Sequence, residues 1–141
     1  MKPVFSWPVR IYWEDTDGGG IVYYANYLRY MERARTEWVR SLGFSQAALA
    51  VDPGVLFTVV EAQVKYLAPA KLEDALAVSC EPALEGRVSL AFRQRVHRDS
   101  LDGELLVEGT IRVACVASGN LRPRRIPDAM RIAIAGAGAG G

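Results

Sequence analysis

The segment 14–27 contains the residues whose types and spacing could do chemistry. Two carboxylates, Asp15 and Asp17, stand before three consecutive glycines, Gly18–Gly20, and a segment of helical periodicity begins near Tyr24. The first N–H groups of a helix lack partners within the helix, so they can bind an anion or stabilise a developing oxyanion. Glycines also let a ligand approach the backbone closely. A carboxylate beside such donors could act as a nucleophile or as a general base in acyl transfer.

Two simpler interpretations of this segment stay open. Acidic, glycine-rich turns before helices are common, and an aspartate there often only caps the helix, a role that spacing alone favours over catalysis. A calcium-binding loop is the other alternative, but the acidic ligands that such a loop needs at its later positions are missing here.

The element that must position this segment is a helix predicted from about Tyr24 to Leu42. Apolar residues recur in it at intervals of three and four, and charged residues occupy the opposite face. At 1.5 Å per residue this helix would be about 28 Å long, enough to cross a small sheet. We expect Tyr27, Tyr30 and Trp38 to pack between helix and sheet rather than to stack on a ligand.

Alternation of apolar and polar residues predicts five strands. The first runs from Val4 to Trp13, with Trp13 on the same side as Val9 and Ile11. A loop at Gln46–Gly54 separates the helix from the other four strands, which lie near residues 60–66, 76–80, 88–96 and 105–113. The breaks between the last strands carry glycine after an acidic residue, which suits antiparallel hairpins. One amphipathic helix against one five-stranded antiparallel sheet gives a two-layer α+β domain.

The domain is expected to span residues 1–130, followed by a flexible tail at 131–141. Residues 134–141 are only isoleucine, alanine and glycine, so they would gain little from ordering. The far face of the sheet also carries apolar residues that one helix cannot cover: Ala75, Ala77, Ala91, Leu106, Ala114 and Val116. A homo-oligomer is the economical way to cover them.

Composition excludes several classes of function. The chain has 141 residues, enough for one domain, and its 17 basic and 16 acidic residues leave a formal charge of +1, which argues against a nucleic-acid binder. It contains no apolar run of the roughly 20 residues that a transmembrane helix needs, and no secretory signal, so we expect a cytoplasmic protein. Cys80 and Cys115 are expected to be buried free thiols, and with His97 as the single histidine a zinc site is not supported. We expect no cofactor.

The remaining polar candidates are weaker. Arg122, Arg124 and Arg125 form a basic cluster after the fifth strand, which most simply is a solvated charge run. His97 lies on a predicted strand at an outward position, where we expect it to be exposed and solvated. Glu61 and Lys65 face outward on the second strand and could form salt bridges at a subunit interface.

At residues 14–43 (EDTDGGGIVYYANYLRYMERARTEWVRSLG) and 59–76 (VVEAQVKYLAPAKLEDAL) the sequence resembles the 4-hydroxybenzoyl-CoA thioesterase family of hotdog-fold proteins. Within it, the resemblance is to the acyl-CoA thioesterase branch associated with the Tol–Pal cell-envelope system. The resemblance implies a hotdog fold, a five-stranded antiparallel sheet wrapped around one long central helix. It also implies hydrolysis of the thioester of an acyl-CoA or acyl-carrier-protein substrate by a homo-oligomer, with two subunits paired edge to edge and a dimer of dimers expected.

The same resemblance assigns roles to residues of the loop. Asp17 would be the catalytic carboxylate, as nucleophile or general base, and the backbone N–H near Tyr24 would polarise the thioester carbonyl. Asp15 would be structural. Substrate contacts are expected at Gly19, Gly20, Ile21, Val22 and Tyr23, and the CoA phosphates could be held by Arg122, Arg124 and Arg125 because guanidinium groups bind phosphate bidentately.

One residue departs from the pattern of the Tol–Pal-associated branch, which usually has histidine where Tyr24 stands. A backbone oxyanion role survives the change, since any residue other than proline supplies an N–H.

Two alternatives to hydrolysis also stay open. One is a hotdog dehydratase or hydratase, against which the position of His97 counts. The other is a non-catalytic CoA-binding or envelope-associated interaction module.

Overall fold

The computed structural model describes residues 4–139, and the side chains up to residue 136. Its strands are β1 (Phe5–Arg10), β2 (Val55–Tyr66), β3 (Ala75–Glu85), β4 (Ser89–Arg98) and β5 (Leu105–Ala117). Its helices are α1 (Asn26–Ser41), α2 (Gln46–Val51) and α3 (Asp128–Ala139), and a short 3-10 turn spans Trp13–Asp15. The predicted long helix is confirmed to within two residues at each end. The five predicted antiparallel strands are also present, and the helix packs against their sheet.

The strands form one antiparallel sheet in the order β1-β3-β4-β5-β2. Strands β3, β4 and β5 follow one another as hairpins, whereas β2 crosses over to pair with β5. Strands β1 and β2 are therefore the two edges of the sheet. The edge strand β2 is 12 residues long and carries a bulge between Val59 and Glu61.

The hydrophobic core lies between the sheet and the helices. Helix α1 packs against β1 and β3, and it buries Tyr27, Tyr30, Met31 and Ala34. Trp38 meets Phe92 of β4 edge to face, with ring centroids 5.5 Å apart. These aromatic residues pack in the core, as predicted. Both cysteines are also buried and free, as predicted.

The C-terminal segment is a helix where we predicted a flexible tail. Helix α3 packs on β3, and Met130 and Ile134 are buried in the same core as α1. These two residues are four apart, so they lie on one face of the helix and supply the apolar contact that the composition of the segment obscured. Of the predicted tail, Gly140 and Gly141 lie outside the described residues.

Three smaller expectations were also wrong. Residues 46–51 form the short helix α2, which Ser45 caps by accepting a hydrogen bond from the N–H of Ala48, where we predicted a loop. Trp13 is 74% exposed, because β1 ends at Arg10 and the chain turns before reaching it. Of the apolar residues that we predicted on the far face of the sheet, Ala77, Leu106 and Val116 are buried within the single chain, and Leu106 belongs to the core. The segment after β5 folds back beside Val116, which bridges to Pro123.

The packing of α3 predicts a contrast between two isoleucines of the same helix. Ile134 is 2% exposed and Ile132 is 73% exposed. Ile134→Ala should lower the free energy of unfolding by about 2–4 kcal/mol, because it removes buried methyl groups and leaves a cavity. Ile132→Ala, the matched control, should change it by less than about 0.5 kcal/mol. Urea denaturation measures both, and equal effects would contradict the placement of α3.

Candidate active site

A loop closed on itself by backbone hydrogen bonds connects β1 to α1. The carboxylate of Asp15 accepts a hydrogen bond from the N–H of Tyr12 at 2.8 Å. The carbonyl oxygen of Asp15 accepts two more, from the N–H of Tyr23 at 3.0 Å and from the side-chain amide of Asn26 at 2.8 Å. Asp15 therefore ties the loop to the first residue of the long helix.

Asp17 stands at the outer end of this loop with an exposed side chain. Its carboxylate Oδ1 accepts a hydrogen bond from the N–H of Gly19 at 2.9 Å, while its own N–H donates to the carbonyl of Ile21 at 3.0 Å. Gly20 has a φ of +78°, a conformation that favours glycine and lets the chain reverse here. No other donor among the described residues bonds the Asp17 carboxylate, so it is oriented by the loop and open to a ligand.

The loop is fixed from its other side by the segment before β3. The N–H of Val22 donates to the carbonyl of Ala70 at 2.9 Å, and the N–H of Leu72 donates to the carbonyl of Gly20 at 3.1 Å. Ile21 also forms an antiparallel bridge with Lys71. The glycine-containing turn is thus held between two backbone connections, and Asp17 projects from a fixed frame.

The start of α1 presents backbone donors that the fold leaves unused. Ala25 is the N-cap residue and provides no side-chain cap. The N–H groups of Asn26, Tyr27 and Leu28 each donate to the carbonyl three residues earlier. Within residues 4–139, the N–H groups of Tyr24 and Ala25 have no acceptor. Neither Asp15 nor Asp17 bonds an N–H of the first turn through its side chain, so the capping role that spacing favoured for them is not observed.

An aromatic cluster surrounds these donors. The Tyr24 ring is 60% exposed and lies 5.0 Å from the Tyr23 ring and 5.9 Å from the Tyr66 ring, measured between centroids. The Tyr66 ring also lies 5.7 Å from the Tyr27 ring. Burial raises the pKa of both Tyr27 and Tyr66, so these phenols stay neutral at physiological pH. The cluster places the end of edge strand β2 beside the start of α1.

The basic cluster lies at the other end of β2. Val55 pairs with Ala117 and Tyr66 pairs with Val107, so the segment that follows β5 leaves the sheet near Val55. At about 3.3 Å per residue the two ends of β2 are roughly 35 Å apart. The structure therefore does not bring the predicted phosphate-binding residues Arg122, Arg124 and Arg125 to Asp17 within one chain.

Residues 19–104, more than half of the chain, match the family model of the thioesterase superfamily. The chain belongs to the thioesterase superfamily. The matched segment begins two residues after Asp17 and includes Gly19, Gly20, α1 and strands β2–β4.

Relatives of this superfamily member extend the likeness over most of the chain. The acyl-CoA thioesterase YbgC of Haemophilus influenzae is 41% identical over 92% of this chain and 93% of its own length. The acyl-CoA thioester hydrolase YbgC of Escherichia coli is 44% identical over 88% of this chain and 90% of its own.

A solved structure confirms the predicted hotdog fold. The 1,4-dihydroxy-2-naphthoyl-CoA thioesterase of Synechocystis superposes with a TM-score of 0.85 at 22% identity, covering 94% of this chain and 96% of that one.

Among the described residues, no helix combines the length and the hydropathy that a membrane-spanning helix requires.

The single histidine of this thioesterase-superfamily chain has a structural contact. We expected His97 to be solvated, but it is half-buried and its Nδ1 lies 3.0 Å from the carbonyl oxygen of Gly103 in the β4–β5 turn. It sits on β4 with its ring directed at the β4–β5 turn rather than at the start of α1, which counts against a role as the acid or base of a dehydratase.

Sequence reasoning missed a polar pair on the inner side of α1. Glu32 and Arg35 line a groove between α1 and the β2–β5 part of the sheet. Helical charges are usually solvated, which is why we assigned the charged residues of α1 to its outer face. The signal was the position of Arg35 next to Ala34 and four residues before Val39, both of which are buried, at the border of the apolar stripe.

The tie between loop and helix can be tested at Asn26. Asn26→Ala should lower the free energy of unfolding by about 1 kcal/mol, because the Asp15 carbonyl keeps its bond from Tyr23 but loses the side-chain donor. Amide hydrogen exchange should accelerate across residues 15–23. Glu14→Ala, at an exposed position of the same loop, should leave both measurements unchanged. Unaltered exchange in Asn26→Ala would show that the side chain does not hold the loop.

Proposed function

We propose that this protein is an acyl-CoA thioesterase in which Asp17 is the catalytic carboxylate and the N–H of Tyr24 is the oxyanion donor. The observation that carries the proposal is an exposed carboxylate, oriented by the loop that leads into α1, together with unused N–H groups at the start of that helix. The names of the YbgC relatives, which match most of the chain, support the same reaction.

The chemistry follows from those two groups. The thioester carbonyl oxygen accepts a hydrogen bond from Tyr24, and the charge that develops on this oxygen is stabilised there and by the positive end of α1. In one route an oxygen of Asp17 attacks the carbonyl carbon, the CoA thiolate leaves, and water hydrolyses the mixed anhydride to release the acid and restore Asp17. In the other route Asp17 takes a proton from a water that attacks the carbonyl directly. Both routes use the same arrangement.

The residues after Asp17 would form the wall of the substrate site. The N–H of Gly19 orients the carboxylate, and the absence of side chains at Gly19 and Gly20 lets the thioester approach. Ile21 and Tyr23 are exposed beside the loop and are available for substrate contact. Val22 is 4% exposed and its N–H bonds Ala70, so we assign it to holding the loop rather than to touching substrate.

The active site is proposed to be completed by a second subunit through the exposed edge of β2. Leu56, Val59 and Val60 are exposed on this strand, which is long for an unpaired edge. Two copies of β2 paired antiparallel about a two-fold axis would set the Val55 end of one against the Tyr66 end of the other.

This pairing would bring the arginine cluster of one subunit to the catalytic loop of the other. The partner's Arg122, Arg124 and Arg125 would come to the end of the sheet that carries this chain's Asp17, where they could hold the phosphates of CoA. We also propose that such dimers associate into a tetramer and that the protein is cytoplasmic. The acyl carrier of the substrate would be either CoA or a carrier protein.

The catalytic role of Asp17 predicts the result of a nearly isosteric substitution. Asp17→Asn keeps the shape but removes the charge and the nucleophilic oxygen, so acyl-CoA hydrolysis should fall by a factor of about 10² to 10⁴ with the fold intact. Thiol release across short, long and aromatic acyl-CoAs measures the rate. Asp102→Asn, at an exposed aspartate of the β4–β5 turn, is the matched control and should keep full activity.

Wild-type rates in Asp17→Asn would refute the mechanism. Binding of acyl-CoA by the wild-type protein without thiol release from any substrate would instead indicate a non-catalytic CoA-binding module, and hydration of enoyl-CoA would indicate a hydratase.

The role of β2 predicts a linked loss of assembly and activity. Val60 lies at the middle of the strand, so two-fold pairing would set Val60 of one copy close to Val60 of the other. Val60→Lys should drive the protein toward monomers through charge repulsion and should also reduce hydrolysis, because the site would lose its second half. Val51→Lys, at a position of α2 that is 84% exposed, should change neither. Sedimentation velocity and the hydrolysis assay decide; an active monomer would rule out a shared site.

A further inference from the structure

A guanidinium group stands in the middle of the apolar groove along α1. Toward the helix start, a cavity of about 380 Å³ is lined by the apolar residues Leu28, Val59, Ala62 and Ile111 and, at its border, by Arg29. Toward the other end, a smaller cavity of about 130 Å³ is lined by Val39, Phe57, Leu90, Phe92, Val113 and Met130. Arg35, Glu32 and Val59 border both cavities, so the two charged side chains lie between two mainly apolar compartments.

Arg35 is held in place by a buried amide. Its Nη1 donates to Oε1 of Gln94 at 3.0 Å. Gln94 is fully buried, and its Nε2 donates to the carbonyl of Met31 at 2.9 Å and to that of Ser79 at 3.3 Å. These two bonds fix the amide so that its oxygen faces Arg35. Gln94 thereby joins the backbone of α1 to the sheet and sets the direction of the guanidinium.

Within the part of the chain that the structure describes, Arg35 has no carboxylate within ion-pair distance, although the Glu32 carboxylate is close enough to act on its charge. Among the described residues, no carboxylate forms an ion pair with Arg35, and the nearby carboxylate of Glu32 accepts its bond from Thr36 instead. A guanidinium has five N–H donors, and Gln94 takes one of them. Burial lowers the pKa of Arg35, because the cation is partly removed from water, and the negative charge of Glu32 opposes this shift. Arg35 is only partly buried, so its remaining N–H groups are open to the groove and available to an acceptor.

Arg35 lies further along α1 than the proposed oxyanion donor, the N–H of Tyr24. Arg35 follows Tyr24 by about 16 Å along the helix axis, and helical side chains lean back toward the N-terminus. An acyl group whose carbonyl oxygen meets the Tyr24 N–H would pass Leu28 and enter the larger cavity. Its far end would meet Arg35 at a length of roughly eight to ten carbons.

We propose that Arg35, positioned by Gln94, is a specificity-determining residue that selects acyl groups carrying an oxygen acceptor, a hydroxyl or a carboxylate, at their far end. The proposal rests on the proposed thioesterase function and deepens it. Such an oxygen accepts a charge-assisted hydrogen bond that a plain alkyl end cannot accept. A site built to hydrogen-bond part of its substrate discriminates strongly against the analogue that lacks it.

The test compares matched acyl-CoAs of eight and ten carbons, each as the plain, the ω-hydroxy and the ω-carboxy form. In the wild-type protein kcat/KM should be higher for the oxygenated forms. R35M keeps the length of the side chain but removes the donors, so the ratio of oxygenated to plain substrate should fall at least about tenfold. R33M, which makes the same change at an exposed position of α1, is the matched control and should keep the wild-type ratio. The hydroxy and carboxy arms show which oxygen is preferred.

The outcomes separate this proposal from the one on which it rests. If the wild-type protein hydrolyses none of these substrates nor the short and aromatic ones, the thioesterase function itself fails. If it hydrolyses them and R35M keeps the wild-type ratio, Arg35 does not set specificity. A shift of R35M toward monomers in sedimentation, with the ratio unchanged, would assign Arg35 to a subunit contact and also overturns the proposal. Should R35M not fold, R35K replaces it, because a lysine ammonium lacks the planar donor set and should lower the same ratio.

Discussion

The carbonyl oxygen of Asp15 determines how the loop before α1 is arranged. It receives the N–H of Tyr23 and the amide of Asn26, so the chain that leaves β1 must return to the point where the helix begins. Within the closed segment the backbone of Asp17 bonds Ile21, and its side chain is left at the outer end with one oxygen fixed by Gly19. The backbone on both sides of Asp17 is thereby held in place and its carboxylate is oriented by one hydrogen bond, as the proposed catalytic role requires.

The sheet sets the larger geometry. Because β2 runs the full length of the sheet as an edge, its two ends carry different chemistry: the tyrosine cluster and helix start at one, the arginine cluster at the other. A single chain keeps them apart. In the proposed dimer, a two-fold axis across this edge would bring unlike ends together and would produce two equivalent sites.

The parts of the fold and of the proposed site that could be predicted from the sequence are those encoded in local patterns. Helix α1 and the strands could be predicted because each shows a regular spacing of apolar residues within one short segment. The acidic, glycine-rich segment before Tyr24 indicated the proposed site. Helix α3 was missed because alanine and glycine hide the pair Met130 and Ile134, whose burial depends on a sheet surface made elsewhere in the chain. The separation of Arg122 from Asp17 depends on the β2–β5 register, a non-local pairing that no local pattern encodes. Arg35 was overlooked because a helical arginine is normally solvated, and only the packing of Gln94 from β4 reveals its surroundings.

The burial of the two cysteines has a practical consequence for a protein whose product would be a thiol. Burial raises the pKa of Cys80 to about 12 and also raises that of Cys115, so neither sulfur is a thiolate at neutral pH. Thiolates are the species that react with disulfide reagents and peroxides, so we expect both buried thiols to react slowly with them while the chain is folded. A chromogenic disulfide added during turnover should therefore report mainly the coenzyme that is released.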